Sequence, residues 1–272
     1  MLPELAVFGW RNHVSRSWSK VWTKSVSQMA AKVMRTRDAA APGPVNGNVL
    51  PLAMPSDQKQ LRLGGAEILN CTVKALKQGQ VVAVPTDTIY GLACLAQNSE
   101  AVKKIYDIKG RNGQKPLAIC VGEIHDIYRY CKVNVTEALL SDLLPGPVTL
   151  VFERSEVLNK DLNPFTSLVG VRIPDHAFIR RLCQMSEQPL ALTSANISSH
   201  TSTVEVNEFK ELWPKLAVVV DGGPIGDQCR LGSTVVDLSV LGKYKIIRPG
   251  CARSSTVDVL EHKHGLSENS DL

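Results

Sequence analysis

The spacing of apolar and polar positions changes repeatedly along the chain, and each change marks an element. Val81-Val82-Ala83-Val84 is a continuous apolar run rich in β-branched residues, the pattern of a strand buried on both faces. Pro85 stops it, because proline cannot donate to a sheet ladder. Thr86, Asp87 and Thr88 follow, and a buried strand ending in small polar groups is how α/β proteins present a site. Just upstream, Ile68, Leu69, Val73 and Leu76 recur at helical spacing with Gly79 beyond them, which predicts a helix over 66–77. Ser99 is positioned to cap a helix through Val102 and Ile105 that runs out at Lys109-Gly110-Arg111, and Thr136 to open one over 137–144. Further helices are expected over 177–185, 204–212 and 257–264. Strands are expected over 117–121, 148–152, 168–173, 190–193, 217–220, 234–238 and 245–247. The alternation has no internal repeat and no barrel-like period. It predicts a single α/β domain built on a twisted mixed sheet flanked by helices.

The N-terminal segment has a different texture. Over 1–41, Trp10, Val14, Trp18, Val21, Trp22, Met29 and Val33 recur at three- and four-residue spacing, while Arg16, Lys20 and Lys24 form a separate stripe. That is the pattern of a mitochondrial transit peptide, of a helix lying on an anionic membrane, or of an ordinary surface helix. A stretch rich in Ala, Pro, Gly and Asn over 39–55 reads as a linker and favours the transit peptide. The expected organisation is therefore an extension over 1–55, a catalytic domain over 56–256 and a C-terminal helix and tail over 257–272.

Charge sharpens this division. The net charge of +5 sits wholly in the extension, where seven basic residues face Glu4 and Asp38, and the remainder is neutral. A neutral folded part argues against a general nucleic-acid binder, while leaving room for a local basic cleft. The seven cysteines are odd in number and none forms C-x-x-C, so they read as reduced core thiols of an intracellular protein. The histidines lack metal-ligand spacing, which points away from a protein-built metal site.

Polar residues recur at the strand ends. Arg172 and Arg248 each interrupt a β-branched run, where a charge is costly unless paired. Each either pairs with a structural carboxylate such as Asp221 or Asp237, or binds a carboxylate or phosphate. Lys109, Arg111 and Lys115 lie in a glycine-containing loop before a strand, either solvated or gripping phosphate; no Walker motif is present. Thr149 and Ser233 stand at strand starts. Ser194 and Asn196 close a strand, as a cap or Asx-turn or as ligand contacts. No G-x-S-x-G elbow occurs, Asp87 is not required as a base, and His125 and His176 read as surface or capping residues.

The ordered set P-T-D-T-x-Y-G-L, K-x-R-x-x-x-K-P-L, P-G-P-V-T, V-R-I-P-D-H, T-S-A-N, G-S-T-V and I-R-P-G closely resembles the YrdC-like family from about residue 65 to 250. The resemblance implies a YrdC-like single domain with a concave active-site cleft, and a threonylcarbamoyl-AMP synthase that converts L-threonine, bicarbonate and ATP to threonylcarbamoyl-AMP and pyrophosphate. It implies nucleotide and catalytic contacts at Lys109, Arg111, Ser194 and Asn196. Threonine would lie near Thr86, Lys115, Arg172 and Ser233, and ATP would also meet Thr149 and Arg248. Mg²⁺ is expected to arrive with ATP. The implied partner is a threonylcarbamoyl transferase, the KEOPS complex or a mitochondrial counterpart. The tRNA is then met indirectly, and the expected locations are cytoplasm and mitochondrion. Peripheral membrane contact through the extension is compatible with this. The alternatives are an RNA-binding module acting on tRNA or double-stranded RNA, and a carbamoyl-transfer domain like that of hydrogenase maturation factors. Ser199 departs from the family's glycine after S-x-N.

Overall fold

The computed structural model describes residues 48–52, 58–110, 115–198, 200–226 and 230–269, with side chains from residue 65 onward in the first helix. All of them belong to the compact unit Asn46–Leu272. The amphipathic segment expected over 1–41, together with Arg111, Ser199 and Cys229, lies outside the described residues.

A mixed sheet runs in the order β1-β9-β2-β3-β8-β4-β7-β6-β10-β11-β12, with β5 (Cys131–Lys132) attached to β6. Its central strands are β2 (Val82–Val84), β3 (Gly91–Leu95), β8 (Leu190–Ser194), β4 (Ala118–Cys120), β7 (Leu168–Arg172) and β6 (Val148–Arg154). The period-two alternation of these strands feeds two separate cores. Val81, Ala83, Leu92, Cys94 and Ala191 enter the larger cluster, whereas Val82, Val84, Ala93, Leu95, Leu190 and Leu192 enter the smaller. The smaller cluster is roofed by α1 (Gln58–Lys77) and α5 (Ala177–Ser186), through Val73, Leu76, Phe178, Ile179 and Leu182. The larger holds α2 (Ser99–Lys109), α3 (Ile124–Tyr130) and α4 (Glu137–Leu143).

Several expectations shift for physical reasons. Asn98 rather than Ser99 caps α2, accepting from the Ala101 N–H at 3.0 Å, while the Ser99 hydroxyl donates to Asp161 at 2.6 Å. Gly110, at φ 61°, ends that helix in the left-handed region. Thr136 caps α4 as expected, accepting from the Leu139 N–H at 3.3 Å. The helix expected over 204–212 is a kinked 3-10 segment, Val206–Lys215, with Pro214 near its end and Phe209 outside helical geometry. Val49–Pro51, read as linker, forms β1 and pairs in parallel with β9 (Val218–Asp221). At the other end β10 (Thr234–Asp237) and β11 (Lys243–Arg248) pair antiparallel, α6 (Arg253–Asp258) continues into a π turn, Val259–Lys263, and β12 (Ser267–Glu268) joins β11.

Candidate active site

The face of the sheet that α1 and α5 cover continues over β7, β6, β10 and β11. Register fixes which side chains reach it. Arg172 pairs with Cys120 of the smaller core, while its neighbours Val171 and Ile173 enter the larger one, so Arg172 leaves on the smaller-core face. Val235 pairs with both Thr149 and Arg248, which places those two side chains on one shared face. Gly170 opens room there, since a Cβ on it would stand 2.9 Å from Thr149 Cγ2.

Arg172 is 5% exposed, and the polar turn after β2 is built around it. One terminal nitrogen donates to the Asp87 carboxylate and to Thr88 Oγ1, the latter at 2.7 Å. Asp87 also accepts from the Asp175 N–H at 3.0 Å. The turn holds itself through Thr86, whose hydroxyl donates to Ile89 O at 2.7 Å and lies 3.2 Å from Thr88 Oγ1. Arg172 Nε is buried and has no hydrogen-bond partner. Neither carboxylate expected as its partner serves it: Asp221 accepts from the Gly223 N–H and Asp237 from the Ser239 N–H. Asp87 takes that place because the turn after Pro85 carries it across to Arg172. Its position between two threonines carried no signal of this.

Arg248 donates to Ser233 O at 2.9 Å, and Ser233 Oγ lies 2.8 Å from Thr149 Oγ1. Desolvation first, and the like charge of Arg172 second, lower the Arg248 pKa. Two guanidinium groups thus lie beside a pair of hydroxyls on this face, a combination whose chemistry suits a carboxylate or phosphate. Gly250 is essential to this corner: a Cβ on it would lie 2.3 Å from Ser233 C and Thr234 N.

Lys109 is 0% exposed. Its amine donates to Ser194 O at 2.6 Å, to Asn196 O, to Asn196 Oδ1 at 3.0 Å and to Ser194 Oγ at 3.3 Å. Asn196 in turn donates to Ile197 O at 3.0 Å and to His200 O at 2.6 Å. The end of α2 is thus buttoned onto the end of β8, and the T-S-A-N turn takes its shape from this clasp. Lys115 is exposed, beyond the residues that join in these contacts. Tyr90, which sequence reasoning left without a role, is buried; its hydroxyl donates to Gly223 O at 2.7 Å and accepts from the Gly222 N–H at 2.9 Å. Burial pushes its pKa up. His176 precedes α5, makes no side-chain cap and keeps a buried, unpartnered Nδ1; burial lowers its pKa.

A mixed sheet roofed on half of one face, with two arginines and paired hydroxyls on the other half, defines an α/β protein that gathers cationic and hydroxyl side chains at its strand ends. Residues 74–250 match the model of the Sua5/YciO/YrdC family, described as telomere recombination, and the chain belongs to this family. It is 63% identical over 209 residues to a threonylcarbamoyl-AMP synthase of Homo sapiens, covering 75% of each chain. The Mus musculus protein of that name is 62% identical over the same shares. The crystal structure of Pyrococcus abyssi Sua5 complexed with L-threonine superposes with a TM-score of 0.70 at 28% identity, covering 81% of this chain and 62% of that one. The chain thus spans less than two thirds of the Pyrococcus protein.

Proposed function

We propose that the cleft joins L-threonine, bicarbonate and ATP into threonylcarbamoyl-AMP, releasing pyrophosphate. The mammalian relatives bear the name of that activity over three quarters of their length, and the Pyrococcus relative was solved with L-threonine. On that ground the chain is a threonylcarbamoyl-AMP synthase, an adenylate-forming transferase serving tRNA modification. The observation that carries the placement of the site is Arg172, a buried cation whose Nε lacks an acceptor, facing the like charge of Arg248.

In this reading the threonine carboxylate completes the Arg172 guanidinium, with Thr86, Lys115 and Ser233 around the rest of the amino acid. Hydroxyls suit a substrate whose rejection of analogues needs hydrogen bonds rather than size alone. Bicarbonate loses its hydroxyl as water to give CO₂, the deprotonated threonine nitrogen attacks that carbon and releases a proton to solvent, and the new carbamate oxygen then attacks the α-phosphorus of ATP as the bond to pyrophosphate breaks. Arg248 and Thr149 take the phosphate side, where positioned cations stabilise charge spread over oxygens. Lys109, Arg111, Ser194 and Asn196 form the nucleotide side, with Lys109 holding the turn that presents Ser194. N-carboxythreonine is labile in water, so holding it against the α-phosphate outweighs any single acid or base.

Mg²⁺ would arrive with the nucleotide rather than on protein ligands, and would supply neutralisation of phosphate charge there. The product then passes to a threonylcarbamoyl transferase, the KEOPS complex in the cytoplasm or its mitochondrial counterpart, so tRNA is met indirectly. The basic amphipathic extension supports mitochondrial as well as cytoplasmic residence and gives a means of peripheral membrane contact.

The test is incorporation of radiolabelled bicarbonate by purified protein with ATP and L-threonine, omitting each in turn, for wild type, Lys109→Ala and Arg172→Ala. A threonine-dependent labelled adenylate, lost in both variants, supports the activity and the site together. Absence of any threonine-dependent product refutes the reading and turns attention to direct RNA binding.

A further inference from the structure

We infer that Asn163 is a positioning residue for Lys115, acting on threonine binding through the backbone of Leu117. Asn163 is 1% exposed and sits at φ 52°, where few residues other than glycine rest easily. Its side-chain amide imitates a strand partner: Oδ1 accepts from the Leu117 N–H and Nδ2 donates to Leu117 O, both at 2.8 Å. Leu117 lies one residue before β4 begins, where no ladder serves it. The same Oδ1 accepts from the Tyr106 hydroxyl at 3.1 Å, and Tyr106 belongs to the last turn of α2. One amide therefore ties the last turn of α2, which ends in Lys109, to Leu117, two residues after Lys115.

The segment supporting Asn163 is itself fixed. Arg154, at the end of β6, donates to Leu162 O at 2.5 Å, to Leu158 O at 3.3 Å and to Asn159 O. Asn159 donates to Ala96 O at 3.0 Å, and Leu158 and Leu162 are buried. The brace thus runs from β6 beneath α2 to the start of β4. It reaches none of Arg172, Ser233 or Lys109 directly, so its influence on chemistry passes through where Leu117, and with it Lys115, is held.

The inference rests on Lys115 contacting threonine. Asn163→Gly tests it, because glycine accepts the left-handed backbone and only the amide is lost. Steady-state kinetics of the full chain are measured against threonine and against ATP for wild type, Asn163→Gly, Lys115→Ala and the double variant. The expected result is a KM for threonine raised roughly tenfold in Asn163→Gly, since misplacement by about 1 Å can cost up to about 100-fold. The expected kcat stays within about twofold, and Asn163→Gly adds little in the Lys115→Ala background, as for two residues acting as one unit. A purely structural role would lower the active fraction alike in both backgrounds and leave KM in place. An unchanged threonine KM in Asn163→Gly, or independent losses that multiply in the double variant, overturns the inference while the site reading stands. An unchanged threonine KM in Lys115→Ala overturns both. If Asn163→Gly does not fold, Tyr106→Phe, which removes one hydroxyl from Asn163, decides in its place. A smaller rise in threonine KM that vanishes in the Lys115→Ala background supports the inference, and a wild-type KM overturns it.

Discussion

Adding one methyl group at Gly250 should disable the cleft from outside it. The residue's φ is not positive, so alanine brings no backbone strain and the effect is steric. A Cβ there would stand 2.3 Å from Ser233 C, 2.3 Å from Thr234 N and 2.5 Å from Ser233 O, all of them backbone atoms. Restoring ordinary contact requires the two strands' ends to part by about 1 Å. Overpacking of this kind costs typically about 1–3 kcal/mol, or a fall in Tm of several degrees, at about 2–4 °C per kcal/mol for a domain of this size. The displacement falls on Ser233, which holds Thr149 Oγ1 at 2.8 Å and Arg248 at 2.9 Å. A shift of that size in a reacting site can reduce turnover by roughly 100-fold. Gly242→Ala is the control. Its φ of 72° makes alanine costly, yet nothing lies within 4 Å, so stability should fall with activity nearly intact. The assay is pyrophosphate release dependent on threonine, bicarbonate and ATP, beside thermal melting. Wild-type kinetics and Tm in Gly250→Ala would refute the reasoning, as would equal activity losses in the two variants.

Three further outcomes are expected. Asp87→Asn leaves the buried Arg172 without its counter-charge and should destabilise the fold by about 3–5 kcal/mol; Asp87→Asn combined with Arg172→Gln should recover stability but not activity, as urea titration and the bicarbonate assay would show. Hydrogen bonds from Lys263 and His264 hold the Asp142 carboxyl below its ordinary value, so this clamp stabilises above the unfolded carboxylate pKa and fades as pH falls through the lowered one. Asp142→Asn should therefore lower Tm at pH 7, with the gap to wild type closing at strongly acid pH; a gap independent of pH would contradict this. Burial pushes the Cys94 and Cys131 thiols up to about 12, so iodoacetamide at neutral pH followed by peptide mapping should label the exposed Cys71 and Cys251 well before Cys94, Cys120, Cys131 and Cys183.

The pattern of apolar residues located most central strands because each has to fill two cores at once. β3, Gly91–Leu95, escaped notice because it follows Thr86–Tyr90 without a break in composition, and α3, Ile124–Tyr130, because two turns are too few to display a helical period. β1 hid in a proline- and asparagine-rich stretch whose three strand residues alternate too briefly to register. At the site, residue types and their order pointed to Arg172, Arg248, Thr149 and Ser233, which the sheet register gathers on one face. What could not be read was which groups serve one another. Lys109 reads as a loop cation and is enclosed by oxygens of Ser194 and Asn196; Arg172 reads as either paired with a structural carboxylate or open to an anion, while Asp87 holds it. Such pairings depend on strands that are neighbours in space and far apart in sequence. Asn163 belongs to no motif, and only its burial, backbone conformation and hydrogen bonds to Leu117 and Tyr106 set it apart.

The enclosure of Lys109 also makes that amine a reporter of conformation. With no solvent exposure and its hydrogens directed at Ser194 and Asn196, it is shielded from acylating reagents and acetyltransferases while α2 and β8 stay joined. Acylation at this lysine would then mark a newly made or opened chain, and its rate in an otherwise folded sample would time how often the two elements part.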